Sequence, residues 1–221
     1  MIRVFDILFS GIAIIALSPL LIITIIILRF SGEGEIFYFQ SRIGKSKKII
    51  KLYKFATMRK DSESRGSKTI TIKDDPRILP VGKFLRKSKI NELPQLFNVF
   101  LGSMSLVGPR PLTQETFNLY EKFIQDEIAS VKPGLSGVGS IFFRNEEELI
   151  PKDSNFIEFY KTKISPIKGR IELWFCKNNN LLTYFSVIFI TAYLILFKKS
   201  KLHYYYFKSI RKILKGTILE K

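Results

Sequence analysis

Residues Ile7 to Leu28 read ILFSGIAIIALSPLLIITIIIL, 22 consecutive positions without a charge. As a helix this run is about 33 Å long at 1.5 Å per residue, enough for a bilayer's hydrocarbon core. A cleaved signal peptide fits poorly. Only Arg3 precedes the run as a cation, no small-residue cleavage site follows, and the run is long. A retained membrane segment is therefore expected. Ser18-Pro19 interrupts its middle. Proline removes one helical hydrogen bond and crowds the preceding turn, and it splits the run into halves of about 15–18 Å, each matching one leaflet. Two topologies stay open at this point: a kinked spanning helix, and a re-entrant hairpin that enters and leaves on one face.

Outward from that run the chain is strongly basic. Its 221 residues carry 36 Lys+Arg against 19 Asp+Glu, a formal charge of +17, so an anionic partner is expected. Eight of these cations fall in residues 40–60 (Arg42, Lys45, Lys47, Lys48, Lys51, Lys54, Arg59, Lys60), with no acid before Asp61. The positive-inside rule puts them in the cytoplasm under either topology, where they can also face anionic headgroups. A second uncharged run, Leu181–Phe197, has 17 residues. It is short for a span and reads as a buried or interfacial helix. A true span would carry the basic tail outside, against the positive-inside rule. In the tail, residues 198–221, eight cations alternate with Tyr204, Tyr205, Tyr206 and Phe207. That mixture suits a membrane interface, and a solvated or disordered tail is the alternative. The single cysteine, Cys176, excludes a disulfide framework and multi-cysteine zinc sites. The single histidine, His203, removes most nucleophile–histidine and histidine–metal chemistry. Catalysis has to run on carboxylates, amides, hydroxyls, cations of the chain or a bound metal ion.

The segment between the apolar runs reads as α-rich α/β without a dinucleotide fingerprint or P-loop. Ile36–Gln40 and Ile49–Phe55 suit strands joined by a Gly44-Lys45 turn. Residues 61–69 suit a mobile loop. Val81–Lys89, a stretch starting at Asn91, Glu115–Val131 and residues 145–163 suit helices. Four clusters are chemically suggestive. Asp74-Asp75-Pro76-Arg77 pairs two acids, which also suits a plain turn. RKSKINELPQ (86–95) reads as a helix start, with Asn91 as N-cap, Glu92 in the first turn and Pro94 tolerated there. The same features, with Arg86, Lys87, Lys89 and Arg110 as cations, suit a diphosphate site in which Glu92 holds a metal ion or a proton. GSMSLVGPRP (102–111) and the glycine-rich KPGLSGVG (132–139) complete the set; the glycines alone are a weak signal.

KFATM, DDPRILPVGKFLRK, INELPQLFNVFLGSMSLVGPRP and VKPGLSG, in this order, closely resemble the bacterial sugar transferases, the monotopic phosphoglycosyl transferases that initiate surface polysaccharide and glycoprotein assembly. The resemblance runs from about Phe5 to Asn145 and weakens toward residue 195. It implies an N-terminal re-entrant helix broken at Ser18-Pro19 (residues 1–30), a small catalytic domain on the cytoplasmic leaflet of the bacterial inner membrane (31–180), and a membrane-associated apolar helix and basic tail (181–221). It also implies transfer of a sugar 1-phosphate from a UDP-sugar to polyprenyl phosphate, usually undecaprenyl phosphate, with UMP as product and Mg²⁺ required. Carried over by position, Lys54, Arg86 and Arg110 match phosphate-side cations, and Glu92 matches the second member of the family's acidic dyad and a metal ligand.

The first member of that dyad is an aspartate in the family, and here it is Asn91. An amide is not a competent nucleophile. Three explanations follow: Glu92 attacks and forms the acyl phosphate; the lipid phosphate attacks directly, with Asn91 as a positioning amide; or the chain is a weak or non-catalytic scaffold. Ala56 replaces a family arginine, and GVGSIFFRNEEE from Gly137 replaces a Gly-Trp-Ala-Gln-Val run expected to shape the nucleotide-sugar pocket. Arg144 is a candidate contact there, whereas Glu146–Glu148 equally suit a solvated helix start. A tethered nucleic-acid binder, suggested only by charge, has no binding motif, so no nucleic-acid partner is expected.

Overall fold

The computed structural model describes residues 1–60, 76–144, 146–150 and 156–219. The Asp74-Asp75 pair and the 61–69 loop lie outside the described residues. The chain divides into two compact units. The smaller comprises Ile7–Ser41 and Lys51–Leu101; the larger comprises Met1–Asp6, Arg42–Ile50 and Gly102–Lys221.

In the smaller unit, α1 (Ile2–Arg29) runs unbroken through Pro19. Pro19 cannot donate to the carbonyl four residues back, that of Ile15. The Ser18 hydroxyl donates to that carbonyl instead, at 2.8 Å, so the pair removes a helical bond and replaces it locally. The helix also turns its polarity inside out. Ser10 and Thr24 are buried, while Ile7, Leu8, Ile12, Ile15, Ile22, Ile23, Ile26 and Ile27 are exposed. Such a contiguous apolar surface is intolerable in water and ordinary in lipid.

The hairpin follows, β1 (Phe37–Ile43) and β2 (Ile49–Phe55). Its loop puts Ser46 and Lys47, rather than a glycine, in the left-handed region. Next come α2 (Pro80–Lys87), opened by Pro80 in the first turn, a 3₁₀ turn (Ile90–Glu92) and α3 (Gln95–Leu101). Leu21, Leu28, Phe55 and Leu85 form this unit's core, flanked by Ile25, Ile36, Val81, Ile90 and Leu93. Asn91 does not cap the helix as expected. It lies inside the 3₁₀ turn, which a left-handed Lys89 (φ 63°) opens, and two residues separate that turn from α3.

In the larger unit, β3 (Ser105–Val107) pairs in parallel with β4 (Gly134–Ser136), Ser105 opposite Gly134 and Val107 opposite Ser136. Between them lie α4 (Gln114–Phe117), capped by the Thr113 hydroxyl, and α5 (Lys122–Ser130). The single helix expected over Glu115–Val131 is therefore interrupted. Tyr120 is buried at the break, and the Gln125 side-chain amide donates to its carbonyl at 2.8 Å. After β4 come α6 (Val138–Phe142), α7 (Glu146–Leu149), α8 (Phe156–Phe159), a π-helical turn (Tyr160–Ile164) and α9 (Ser165–Lys177). The expected helix over 145–163 is thus several short pieces; Asn145 and residues 151–155 lie outside the described set.

The Leu181–Phe197 run forms α10 (Leu181–Leu196), one face of which buries Tyr184, Val187, Ile190 and Leu194. The other leaves Leu182, Phe189, Ile195 and Leu196 exposed. The described tail is ordered into helices with exposed lysines. It folds into α11 (Leu202–Tyr206) and α12 (Lys208–Leu214), burying Phe207, Ile210, Leu214 and Leu219. Phe207 meets Trp174 of α9 edge-on, with centroids 5.6 Å apart.

Candidate functional site

Lys54, Arg86, Asn91 and Glu92 fall in the smaller unit, brought together by three local devices. First, Asn98 of α3, 2% exposed, bonds the edge of β2 as another strand would. Its Oδ1 accepts from Tyr53 N–H at 2.9 Å and its Nδ2 donates to the Lys51 carbonyl at 2.8 Å. That fixes the strand carrying Lys54. Second, the segment after β2 pairs with the segment before α2: Leu79 N–H donates to Thr57 O, and Arg59 N–H to Arg77 O. Third, Gly82 of α2 lies so close to Thr57 that a Cβ would overlap the Thr57 carbonyl. Arg86, one turn further along α2, donates to Thr57 Oγ1 at 3.2 Å.

The resulting electrostatics suit an anion. Lys54 Nζ lies 3.0 Å from Gln40 Oε1, to which it donates, and 4.0 Å from Glu92 Oε1. The lysine–glutamate pair is at the long limit of ion pairing, with each side chain partly exposed. Beside it Asn91 is only 8% exposed, and its Oδ1 has no hydrogen-bond partner. A buried amide oxygen left open costs about 1–3 kcal/mol, so a ligand able to satisfy it would gain by doing so. Hard oxygen donors from Asn91 and Glu92 fit Mg²⁺, which typically takes one or two protein ligands and completes its shell with phosphate and water. Among the described residues no cluster of three or more His, Cys, Asp or Glu forms a self-sufficient metal cage.

The other two candidates, Arg110 and Arg144, lie in the larger unit. Arg110 sits in the loop after β3, one position beyond Pro109, whose carbonyl accepts from Gly134 N–H at 2.9 Å. A crevice beside it, also lined by Ile43, Gly44, Leu112 and Ile128, has a cavity volume of about 10 Å³. That is room for about one water, far below what a nucleotide-sugar needs. Arg144 donates to the Leu194 carbonyl at 2.8 Å, where it serves the C-terminal end of α10. The glycines at 134 and 137 are steric necessities: a Cβ at either would overlap the Gly108 backbone. Sequence reading missed Asn98, Gln40, Thr57 and Gly82. The available signal was polar spacing: Asn91, Gln95 and Asn98 recur at helical intervals inside an apolar pattern, and all three are buried.

A carboxylate and an amide in one unit with Lys54 and Arg86, beside a helix long and apolar enough to cross a membrane, suit an anionic substrate. The chain belongs to the bacterial sugar transferase family, whose description matches residues 1–198. It is 37% identical over 158 residues to the exopolysaccharide production protein ExoY of Sinorhizobium fredii, covering 65% of this chain and 70% of that one. It is 32% identical over 208 residues to the undecaprenyl-phosphate galactose phosphotransferase of Salmonella typhimurium, covering 88% of this chain and 40% of the relative. A UDP-glucose:undecaprenyl-phosphate glucose-1-phosphate transferase of Klebsiella pneumoniae matches at 36% over 160 residues, 71% of this chain and 34% of the relative. The chain thus spans less than half the length of these two larger relatives.

Proposed function

We propose that the chain transfers a sugar 1-phosphate from a UDP-sugar to polyprenyl phosphate, with undecaprenyl phosphate as the acceptor. The products are polyprenyl diphosphate-sugar and UMP, the first step of a surface polysaccharide or glycan. The observation that carries this reading is the Lys54–Glu92 pair, with Arg86 in the same unit, in a member of this family. An acceptor phosphate oxygen attacks the phosphorus that bears the sugar, a new P–O–P link forms, and UMP leaves with the electrons of the broken P–O bond. Such transfers depend on positioning and charge neutralisation more than on covalent help. Lys54 and Arg86 take the diphosphate oxygens. Asn91 orients the reacting phosphate by donating from its amide –NH₂, which leaves its open oxygen for a cation and suits direct displacement in a chain without the dyad aspartate. Glu92 and Asn91 would hold Mg²⁺, which supplies further neutralisation of the diphosphate.

The membrane half of the proposal is that α1, one continuous helix in this structure rather than the expected hairpin, kinks at Ser18-Pro19 in the bilayer so that both its ends share the cytoplasmic face of the inner membrane. The replaced Ile15 hydrogen bond and the basic block at residues 40–60 support it. The exposed side of α10 and the lysines after it rest on anionic lipid at the same surface. The donor sugar is open: the relatives' names specify galactose in one case and glucose in another.

The test is UMP release from a panel of UDP-sugars with undecaprenyl phosphate and Mg²⁺, with Glu92→Gln alongside. Lipid-dependent UMP from one donor, lost in Glu92→Gln, is the expected result. UMP formed without lipid would replace direct displacement by attack from Glu92. Asn91 also favours a second reading, a non-catalytic membrane scaffold. That reading leads if no donor yields UMP and Asn91→Asp restores release.

A further inference from the structure

The inversion of polarity seen in α1 recurs in α3, the helix that follows the Asn91–Glu92 turn in the smaller unit. Of the seven residues of α3, Phe97, Phe100 and Leu101 are exposed, and all three are large and apolar. Their spacing of i, i+3 and i+4 puts them on one side of the helix. The opposite side buries two amides, Gln95 and Asn98, together with Leu96 and Val99. Asn98 uses both ends of its amide on the edge of β2, at Tyr53 and Lys51, which fixes the roll of the helix with its aromatic side outward. A helix facing water shows the reverse pattern, amides outward and rings inward. The exposed side also continues the apolar surface of α1. A Cβ on Gly11 would lie 3.4 Å from Phe100 Cε2, so that ring rests against α1. Gly11 comes four residues after Ile7, where the uncharged run begins, or about 6 Å along the helix axis. Ahead of the turn in sequence, α2 exposes Phe84 between Lys83 and Lys87. An aromatic ring among ammonium groups is the composition of a headgroup layer.

We propose that α3 is inserted into the cytoplasmic leaflet, with Phe97, Phe100 and Leu101 among the acyl chains below the headgroups. The occupant of this face is the bilayer itself. A helix lying in the interface buries its apolar side about 5–10 Å into the headgroup/acyl boundary, and the position of the Gly11 contact along α1 falls within that range. Phe84 and its flanking lysines stay at the level of the lipid phosphates. The turn carrying Asn91 and Glu92 joins α2 to α3 and is thereby held at headgroup depth. In this arrangement α1 anchors the chain, and α3 sets the height of the turn above the acyl chains. The seating is independent of the reaction, so a failure of lipid contact and a failure of UMP release can be told apart.

The experiment uses the full chain in vesicles of phosphatidylethanolamine and phosphatidylglycerol, with bromine on the acyl chains as a contact quencher. Trp174→Phe removes the native tryptophan, and Phe97→Trp, Leu101→Trp or Phe84→Trp supplies a single reporter. Positions 97 and 101 report the same face, so poor folding of one variant leaves the other to decide. In the Phe97→Trp and Leu101→Trp proteins, emission should shift to shorter wavelength than that of tryptophan in water. It should be lost to bromine high on the acyl chains more than to bromine near the chain ends, and it should resist acrylamide in the aqueous phase. The Phe84→Trp protein should lose less emission to bromine and more to acrylamide, as its shallower seat requires. Ready quenching of Phe97→Trp by acrylamide, with none by bromine, would put the face in water and overturn the inference. Shielding from both quenchers would overturn it as well, as when a second copy of the chain covers the face, and cross-linking in the same vesicles would reveal that copy.

Discussion

Substituting Glu172 by glutamine should flatten the pH dependence of stability. Burial pushes the Glu172 carboxyl up from an ordinary 4.5 to about 7, against the pull of Lys168, the Arg110 N–H and the Arg110 charge, and with a further push from Glu146. Tyr120 and Cys176 also lie within its field, and both stay neutral across this range because burial raises each of them. A folded-state value above the unfolded one means that the native state holds the proton more tightly. The stability that Glu172 contributes is therefore fully present below pH 4.5 and lost as pH rises through about 7. Integrated from pH 5 to 8.5, the loss is on the order of 2–3 kcal/mol. Glutamine does not titrate, so that variant avoids the loss. Its buried –NH₂ group, placed where Oε2 has no partner, brings a penalty of about 1–3 kcal/mol that is the same at every pH. The comparison therefore rests on the slope and not on either absolute value. For a chain of this size about 2–4 °C accompanies each kcal/mol. The gap between variant and wild-type melting temperatures should then move in the variant's favour by about 5–10 °C between pH 5 and 8.5. The chain's one tryptophan, Trp174, sits on the same helix and reports the melt selectively. Parallel melting curves for the two proteins across this range would refute the reasoning.

Four further outcomes are expected. Asn98→Ala removes both bonds to the edge of β2 and should cost about 2 kcal/mol, read as lost hydrogen-exchange protection at the Tyr53 amide. Gly82→Ala forces a Cβ into the Thr57 carbonyl, displacing the helix that carries Arg86; UDP affinity should fall about tenfold or more, since 1.4 kcal/mol is enough for that. Pro19→Ala returns an N–H to the Ile15 carbonyl and favours a straight spanning helix, so a cysteine placed at Val4 should become reactive to an impermeant label outside the cell, whereas with Pro19 present it should stay protected. Phe207→Ala empties the contact with Trp174 and should cost about 3–5 kcal/mol, accompanied by a red shift of Trp174 emission.

Features governed by local chemistry were legible in the sequence. The uncharged run with Ser18-Pro19, the hairpin strands and the basic helix before Asn91 all follow from hydropathy, periodicity and proline, and each appears within a few residues of where those signals place it. What failed was decided at a distance. Asn91 has an N-cap's composition, but the left-handed Lys89 ahead of it turns the chain into a 3₁₀ turn. The 115–131 periodicity continues through Tyr120, yet that ring is buried beside Tyr160, their hydroxyls 3.4 Å apart, and the backbone breaks to place it there. The tail reads as a cationic strip because lysines outnumber its anchors, although four apolar side chains are enough to fasten it. Of the site, Glu92 and its cations were visible as residue types. The clamps that hold them, Asn98 on β2 and Gly82 on Thr57, were not, because each couples segments that are separated in sequence by a loop or a helix.

The packing of Gly108, Gly134 and Gly137 against one another limits how this protein can change over generations. Gly108 N–H donates to Ser136 O, Gly134 N–H donates to Pro109 O, and no Cβ fits at any of the three. No single substitution at these positions is available to selection without dislodging both loops, and a compensating change would have to arise on the opposite loop at the same moment. The stretch bearing Arg110 is thus held at one shape while its surroundings drift. A lineage whose substrate changes has to accommodate it through replaceable side chains elsewhere.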